Sequence, residues 1–523
     1  MHTTVSIEPS LTLESPSGTD APAHQSIENV RGEPQSVDLV SPNADSRTGV
    51  SVGGDRLDQC AVLRQRSAKS LDRWRTKNRY YHDQLIRYLR FLVPDGETVL
   101  LVGCEDGDLL SAMKPARGVG VDCSSEMIAF ARTRHSRHDY HLATDYMADL
   151  EESFDYVVLN DIAGEVHDLF ALLQRVANWC APTSRLIIVQ HNYLWRPILK
   201  LAAAFGLKRP ETAQSWLSVG DLRVFLDGAG FETIDVRSKL FCPKRLLGVG
   251  PVVNALAGLL PFVNRMASTE ILVARPVPYR RDPSASSASI VLTTRDERDN
   301  IEPMVRAIPQ VGSATEIIFV EGHSRDGTRE EIERVIKAYP HKDIRLLVQE
   351  GVGQGDAIRK GFGDARGDVV ILLEADQTTP PEDVLKAFEL VASGRSEYVN
   401  GSRFIYPRSR GSMRLRNAVG NFMFAVWFTW FLGQRTSDVL CGLKAIDRRQ
   451  FVRLERNWGF LGLFDPFGDF ELLFGASRLG LKISEVPTRY TSRSYGETKS
   501  RFVKHGLMLV RMVIRATWVF KCR

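Results

Sequence analysis

Two acids one residue apart, Glu374 and Asp376, close the apolar run "DVVILLEAD" and are followed by Pro380 and Pro381. Residues i and i+2 of a strand project to the same side, so the run predicts two carboxylates held together at a strand end. Carboxylates that close repel and raise one another's pKa, a penalty that a divalent cation removes. Hard oxygen ligands suit Mg2+ or Mn2+, which keep several waters and share themselves with substrate phosphates. By itself the pair is equally readable as solvated acids at a strand end.

The surroundings favour the metal. Asp296 and Glu297 follow the strand-like "SIVLTT", and Glu321 ends "EIIFVEG" ahead of a Ser-Arg-Asp-Gly-Thr turn that opens a helix. "EGVGQGDAIRKGF" adds a glycine-rich stretch before the helix that feeds the acid pair. Polar groups gathered at the carboxyl ends of successive parallel strands lie where open α/β sheets bind ligands.

In this order the stretches resemble family 2 glycosyltransferases of the GT-A fold, closest to the dolichyl-phosphate mannose synthase-like enzymes. The resemblance rests on "TTRDE", "VEGHSRDGT", "EADQTTPPE", "TSDVLCGLKAIDR" and "SRSYGETKS", and spans about residues 288–505. It implies nucleotide-sugar binding by Thr293, Asp296, Glu297, Glu321, Ser324, Asp326, Gly353 and Lys360. It further implies a metal on Glu374 and Asp376, catalytic roles for Asp376 and Asp438, and a phosphate grip by Arg493 and Lys499. The sequence departs from the family where Glu374 replaces the first Asp of the metal motif and Thr378 stands where some members have Gln. The implied reaction is an inverting transfer of a sugar from a nucleotide-diphospho-sugar to a polyprenyl phosphate. A glycan hydroxyl as acceptor, and a non-catalytic nucleotide- or lipid-binding scaffold, stay open as alternatives.

A second set of residues sits in the first half. "VLLVGCEDGDLLSAM" reads as strand, glycine turn and helix start, with Gly103 and Gly107 four apart and Asp122 closing the next strand nineteen residues on. Such a turn brings backbone amides close to a ligand, and an acid at that distance can accept ribose hydroxyls. With "VDCSSEMIAFAR" and "FDYVVLND", the pattern resembles class I S-adenosylmethionine-dependent methyltransferases over about residues 70–275. The resemblance implies S-adenosylmethionine held by Gly103, Gly107, Asp122 and Asp145. Glu105 replaces the family's middle glycine. His191 and Tyr193, after "RLIIVQ", are weaker candidates for a base.

These groups need a frame, and the alternation of strand-like and helical runs supplies one: two Rossmann-like three-layer α/β/α domains. The expected order is a disordered tail at 1–68, poor in aromatics and rich in Ser, Pro, Asp and Glu; a methyltransferase-like domain at 69–273; a linker at 274–288; and a GT-A domain at 289–523. "LDRWRTKNRYYHDQLIRYLRFLV" (71–93) reads as one amphipathic helix ended by Pro94.

Formal charge is +5, but residues 1–60 hold three basic and nine acidic residues, which leaves +11 on the rest. That balance favours phosphates, nucleotides or an acidic membrane surface, and no nucleic-acid partner is expected. Seven cysteines without metal-binding spacing argue against disulfides and zinc, and fit a reducing cytoplasm. Neither a secretory signal nor a spanning helix is legible. "RFIYPRSRGSMRLR" (403–416) places five arginines before the apolar "NFMFAVWFTWFLG". The C-terminal "RFVKHGLMLVRMVIRATWVFKCR" has six basic and no acidic residues. Centring Arg511 and Arg515 in a bilayer would cost about 2.5 to 3.5 kcal/mol each, so this helix is expected to lie along the inner face of a membrane, peripherally attached.

Overall fold

The structure, a computed structural model, describes residues 68–207, 215–277, 281–406, 415–462, 468–489 and 502–522. Residues 1–67 of the expected 1–68 tail, Arg493 and Lys499 lie outside the described residues, and Ala68 begins a helix. The described residues belong to one compact unit, Val52–Arg523.

Two seven-stranded sheets organise it. The first has the order β3-β2-β1-β4-β5-β7-β6, built from Thr98–Val102 (β1), Arg117–Asp122 (β2), Asp139–Leu142 (β3), Phe154–Asn160 (β4), Cys180–His191 (β5), Phe231–Lys239 (β6) and Thr269–Pro276 (β7). The second has the order β10-β9-β8-β11-β13-β12-β14, which follows the first over its first four strands and then departs from it. Its strands are Ala288–Thr294 (β8), Thr315–Glu321 (β9), Asp343–Val348 (β10), Val369–Glu374 (β11), Tyr398–Ser402 (β12), Lys444–Asp447 (β13) and Ile483–Pro487 (β14). In each sheet one strand, β7 or β13, runs antiparallel to both neighbours. The α/β fold class expected from the alternating runs is the one observed.

Parallel strands covered on both faces read as continuous apolar runs, and the alternation shows where each side chain goes. In β1, Val99 and Leu101 join one core and Leu100 and Val102 the other. In β11, Val369, Ile371 and Leu373 face one core, and Val370 and Leu372 face the core that holds Phe470, Met512 and Phe520. Period two carries Glu374 to that second side, but the strand ends there and Asp376, expected on the same strand, lies in the turn that follows.

The single helix expected over 71–93 is two, Ala68–Lys77 and Arg79–Leu92. Asn78 breaks it: its backbone leaves the helical region at φ −113° and ψ 24°, and its side-chain amide donates to Trp74 O at 3.1 Å. Asn competes with helix by bonding its own backbone neighbourhood, a local effect that apolar periodicity does not register.

The two sheets are joined by a buried charge network. Arg185 of β5, fully buried, donates both ways to the Glu397 carboxylate at 2.8 Å and through Nε to Gly480 O at 2.8 Å. Glu397 also accepts from Gln450 at 3.1 Å and from the Lys482 amide at 2.9 Å.

Candidate functional site

Both sheets reverse strand order once between parallel strands, at β1/β4 and at β8/β11, and crevices at such points take ligands at the carboxyl ends. In the second sheet Glu374 pairs in register with Thr293. Glu374 is half-buried; burial, then Asp376 and Asp469, pushes its carboxyl up to about 7, while Arg403 and Lys444 pull the other way. Asp376 is buried, and its Oδ1 accepts from Thr378 N at 3.0 Å and Thr378 Oγ1 at 2.8 Å. The Thr at the family's Gln position therefore braces the second acid.

Space for Glu374 comes from Gly442, where an added Cβ would lie 2.4 Å from the Glu374 Cγ and Cδ atoms. Gly442→Ala is expected to force Glu374 off its rotamer at a cost of about 1.4 kcal/mol, which would weaken cation affinity about tenfold in a Mn2+ titration.

The loops after β8 and β9 are laced together. Asp296 N donates to Ser324 Oγ at 3.0 Å, and Asp296 Oδ1 accepts from Arg325 N at 2.9 Å. Glu321 Oε1 takes the Ser324 amide at 2.5 Å, Asp326 takes the Thr328 amide at 3.0 Å, and Glu297 N donates to Thr328 Oγ1 at 3.0 Å. Asp296, Glu297, Glu321, Ser324 and Asp326 thus share one rim, and Thr293 pairs with Glu374 in the adjoining strand. Gly353 starts a helix at φ 99°, and Lys360 on that helix meets Glu350 at 3.2 Å. Among the described residues, no hydrogen bond or ion pair ties Lys360 to the rim.

Asp438 is fully buried. Its carboxylate accepts from Arg403 Nε at 2.7 Å, Arg403 Nη2 at 2.9 Å, Arg403 N at 3.1 Å and Leu440 N at 3.0 Å. A carboxylate so committed orients a guanidinium and offers no lone pair to a substrate. Sequence reasoning missed Arg403 in this role, and also Asn400, Lys444 and Asp469. Lys444 Nζ, fully buried, donates to Asn400 Oδ1 and Cys441 O at 3.0 Å and sits 3.3 Å from Asp469, while Asn400 Nδ2 donates to Asp438 O at 2.6 Å. Burial pulls the Lys444 ammonium down, yet Tyr398 and Asp469 lift it above its ordinary value. The signal that could have found them is a polar residue at an inward position of an apolar strand, Asn400 in "YVNGS" and Lys444 in "GLKAI".

Among the described residues no cluster of three or more His, Cys, Asp and Glu is arranged to hold a metal. Two carboxylates are what Mg2+ or Mn2+ needs when phosphates and waters complete its shell, and the oxygen donor set at Glu374 and Asp376 fits. A cation must displace the proton that Glu374 keeps up to about pH 7. Apparent Mn2+ affinity is therefore expected to fall up to about tenfold per pH unit below 7 and to level off above it, as read by Mn2+ titration from about pH 5 to 8.

In the first sheet, Gly103 and Gly107 have φ 78° and 80°, the left-handed backbone that glycine adopts without strain. Glu105 takes the same region at φ 49°, so the turn persists with a side chain at its centre. Asp122, 1% exposed, spends its carboxylate on the amides of Glu105 and Ser124, both at 2.9 Å. It braces the turn. Asp145, at φ 51°, accepts from His167 N at 2.9 Å. Arg75 closes over the turn, pairing with Asp106, with Asp108 at 2.7 Å and with Glu105 at 3.6 Å. His191 lies 3.5 Å from Asp161, and its ring centroid is 5.9 Å from that of Tyr81; Tyr193 is exposed.

Residues 289–460 match the family model for glycosyl transferase family 2, and residues 74–236 match that for a methyltransferase domain. The chain pairs a glycosyl transferase family 2 domain with a methyltransferase domain. The family 2 domain carries the similarity to curated relatives. Glycosyltransferase AglJ of Haloferax volcanii is 29% identical over 216 residues, 41% of this chain and 66% of the relative. A dolichol-phosphate mannosyltransferase of Pyrococcus furiosus is 34% identical over 119 residues, 22% of this chain and 33% of the relative. An undecaprenyl-phosphate 4-deoxy-4-formamido-L-arabinose transferase of Proteus mirabilis is 26% identical over 224 residues, 42% of this chain and 64% of the relative. The chain thus spans less than two thirds of the length of these relatives.

Solved structures align with each domain. A SAM-dependent methyltransferase of Thermotoga maritima aligns at 17% identity and TM-score 0.34, covering 42% of this chain and 99% of its own. Glucosyl-3-phosphoglycerate synthase of Mycobacterium tuberculosis, solved with Mn2+ and UDP-glucose, aligns at 19% identity and TM-score 0.34, covering 45% and 80%.

Proposed function

We propose that the protein transfers a sugar, with inversion, from a nucleotide-diphospho-sugar to a polyprenyl phosphate at the inner face of a membrane. The observation that supports this reading is the Arg403–Asp438 pair: a buried carboxylate whose oxygens are taken by Arg403 and the Leu440 amide aims a guanidinium and does not itself serve as a base. A phosphate acceptor is already anionic and needs none, whereas a hydroxyl acceptor would need one. The names of the relatives that act on dolichol phosphate and undecaprenyl phosphate agree with this acceptor class.

In the proposed reaction an acceptor phosphate oxygen forms the new bond to the anomeric carbon from the face opposite the donor diphosphate. The old anomeric carbon–oxygen bond breaks with its electron pair on the departing nucleoside diphosphate, and no proton has to move. Glu374 and Asp376 would hold Mg2+ or Mn2+, which when bound neutralises charge on the diphosphate. The β8 and β9 loops would hold the nucleotide. Arg403, kept in place by Asp438, would bind the acceptor phosphate, and Arg493 and Lys499 are expected to add to the phosphate grip. In the methyltransferase domain, Gly103, Gly107, Asp122 and Asp145 are proposed to hold S-adenosylmethionine. The inward-turned Asp122 supports a second reading for that domain, a scaffold that no longer transfers methyl groups.

The test is a donor screen with purified protein and undecaprenyl or dolichyl phosphate. Label from the nucleotide sugar should enter a charged lipid extract, and Arg403→Ala should raise the acceptor KM about tenfold or more while sparing donor binding. Label found only in neutral or water-soluble glycan would sink the lipid-phosphate reading. Loss of transfer in Asp376→Ala with persistence in Asp122→Ala would remove the scaffold reading for the chain as a whole.

A further inference from the structure

Large apolar side chains left exposed are concentrated in four places. Of the 35 among the described residues, 24 fall on residues 192–210, 244–266, 415–433 and 506–522. Leu247 is 108% exposed, Phe262 82%, Phe205 73%, Phe422 67%, Leu507 63% and Trp518 59%. Three of these six, Phe205, Leu247 and Phe262, belong to the first half of the chain, which precedes the glycosyl transferase family 2 match in sequence. Contiguous apolar patches beyond a few hundred Å2 are rare on surfaces that only meet water.

The four stretches touch in series. Trp195 Nε1 donates to Met266 O at 2.7 Å, which ties the helix Arg196–Ala204 to the end of the helical pair Val249–Leu259 and Pro261–Asn264. Cys522 Sγ meets Ala255 O at 3.8 Å, and Lys239 Nζ donates to Phe520 O and Lys521 O at 3.0 Å, so the chain's last turn docks on that pair. The helix Phe502–Thr517 continues from this turn and packs on Leu415–Leu432. Phe502–Thr517 is apolar on two sides. Leu509, Met512, Val513 and Ala516 enter the core, while Leu507, Val510 and Ile514 with Trp518 form an outer stripe.

Charge identifies what covers this face. The stretches lie within residues 192–210, 236–269, 398–437 and 498–523, which together hold 22 Lys and Arg and not one Asp or Glu. An even spread of the chain's 63 acidic residues would put about 14 there. Apolar helices whose own chain segments carry basic and no acidic residues suit anionic headgroups over acyl chains, and the neighbouring Asp235 is buried in an ion pair with Arg237.

We propose that helices of both domains form one docking face for an anionic phospholipid bilayer, in which the methyltransferase domain supplies Leu247, Phe262 and Phe205 as membrane anchors. The methyltransferase domain is then part of the attachment device, and docking follows from this surface whether or not the glycosyl transferase site binds a lipid substrate.

Sedimentation with phosphatidylglycerol-containing vesicles free of polyprenyl phosphate tests it. Full-length protein should bind them at least about tenfold more tightly than pure phosphatidylcholine vesicles. Leu247→Glu with Phe262→Glu should weaken that binding about tenfold or more with an unchanged melting temperature, because both side chains leave the core intact. Phe205→Glu, in a separate helix, should repeat the loss if the first pair unfolds its segment. Unchanged vesicle binding in these variants overturns the proposal. So does a wild-type dimer in solution that Phe262→Glu splits without any vesicle binding by the wild type, since the face would then belong to a second copy.

Discussion

Asp376→Ala is expected to lower metal-dependent glycosyl transfer about a thousandfold, the equivalent of about 4 kcal/mol of lost charge neutralisation at the leaving diphosphate. The geometry separates this from a structural effect. Asp376 Oδ1 holds a turn by accepting from Thr378 N and Oγ1, and Asn at 376 keeps an oxygen for both bonds while losing the charge. Asp376→Asn should therefore match wild type in melting temperature and match Asp376→Ala in transfer rate. Initial rates at saturating donor, with Mn2+ titrated in each variant, decide the matter. A full rate in Asp376→Asn would mean that the pair holds no cation.

Arg185→Ala should remove up to about 3 kcal/mol of stability, because Glu397 loses both charge-assisted bonds from Arg185 and keeps only the more distant Arg275 as a cationic partner. Gln450 and the Lys482 amide would still donate to that carboxylate, and Arg275 Nη1 at 3.6 Å would be the cation remaining beside it. The double variant Arg185→Met with Glu397→Leu should recover most of the loss, since two apolar groups need no pairing. Thermal and urea unfolding of the three variants would show it. If Arg185→Ala unfolds like wild type, the two domains are not held together by this pair.

The parts of the fold that were legible are those with a local period. β1, β2, β4, β5, β8, β9 and β11 stand as apolar runs bounded by turn residues. β3, with the pattern "DYHL", and β13, with a buried lysine inside it, lack that contrast. The Asn78 break was invisible for a similar reason, since one amide side chain outweighs apolar spacing only when it finds the backbone carbonyl one turn back.

In the candidate site, sequence by itself determined what depends on neighbours in the chain. Alternation along the strand sets the side that Glu374 faces, and glycines mark where the backbone turns left-handed at 103 and 107. Only the tertiary structure decided that Asp438 faces inward onto Arg403, 35 residues away, and that Lys444 and Asp469 stand behind Glu374. It alone joined Arg185 to Glu397 across 212 residues. Contacts over such separations follow from how sheets and helices pack, and the identity of a partner so far along the chain leaves no periodic mark on the residues around either member.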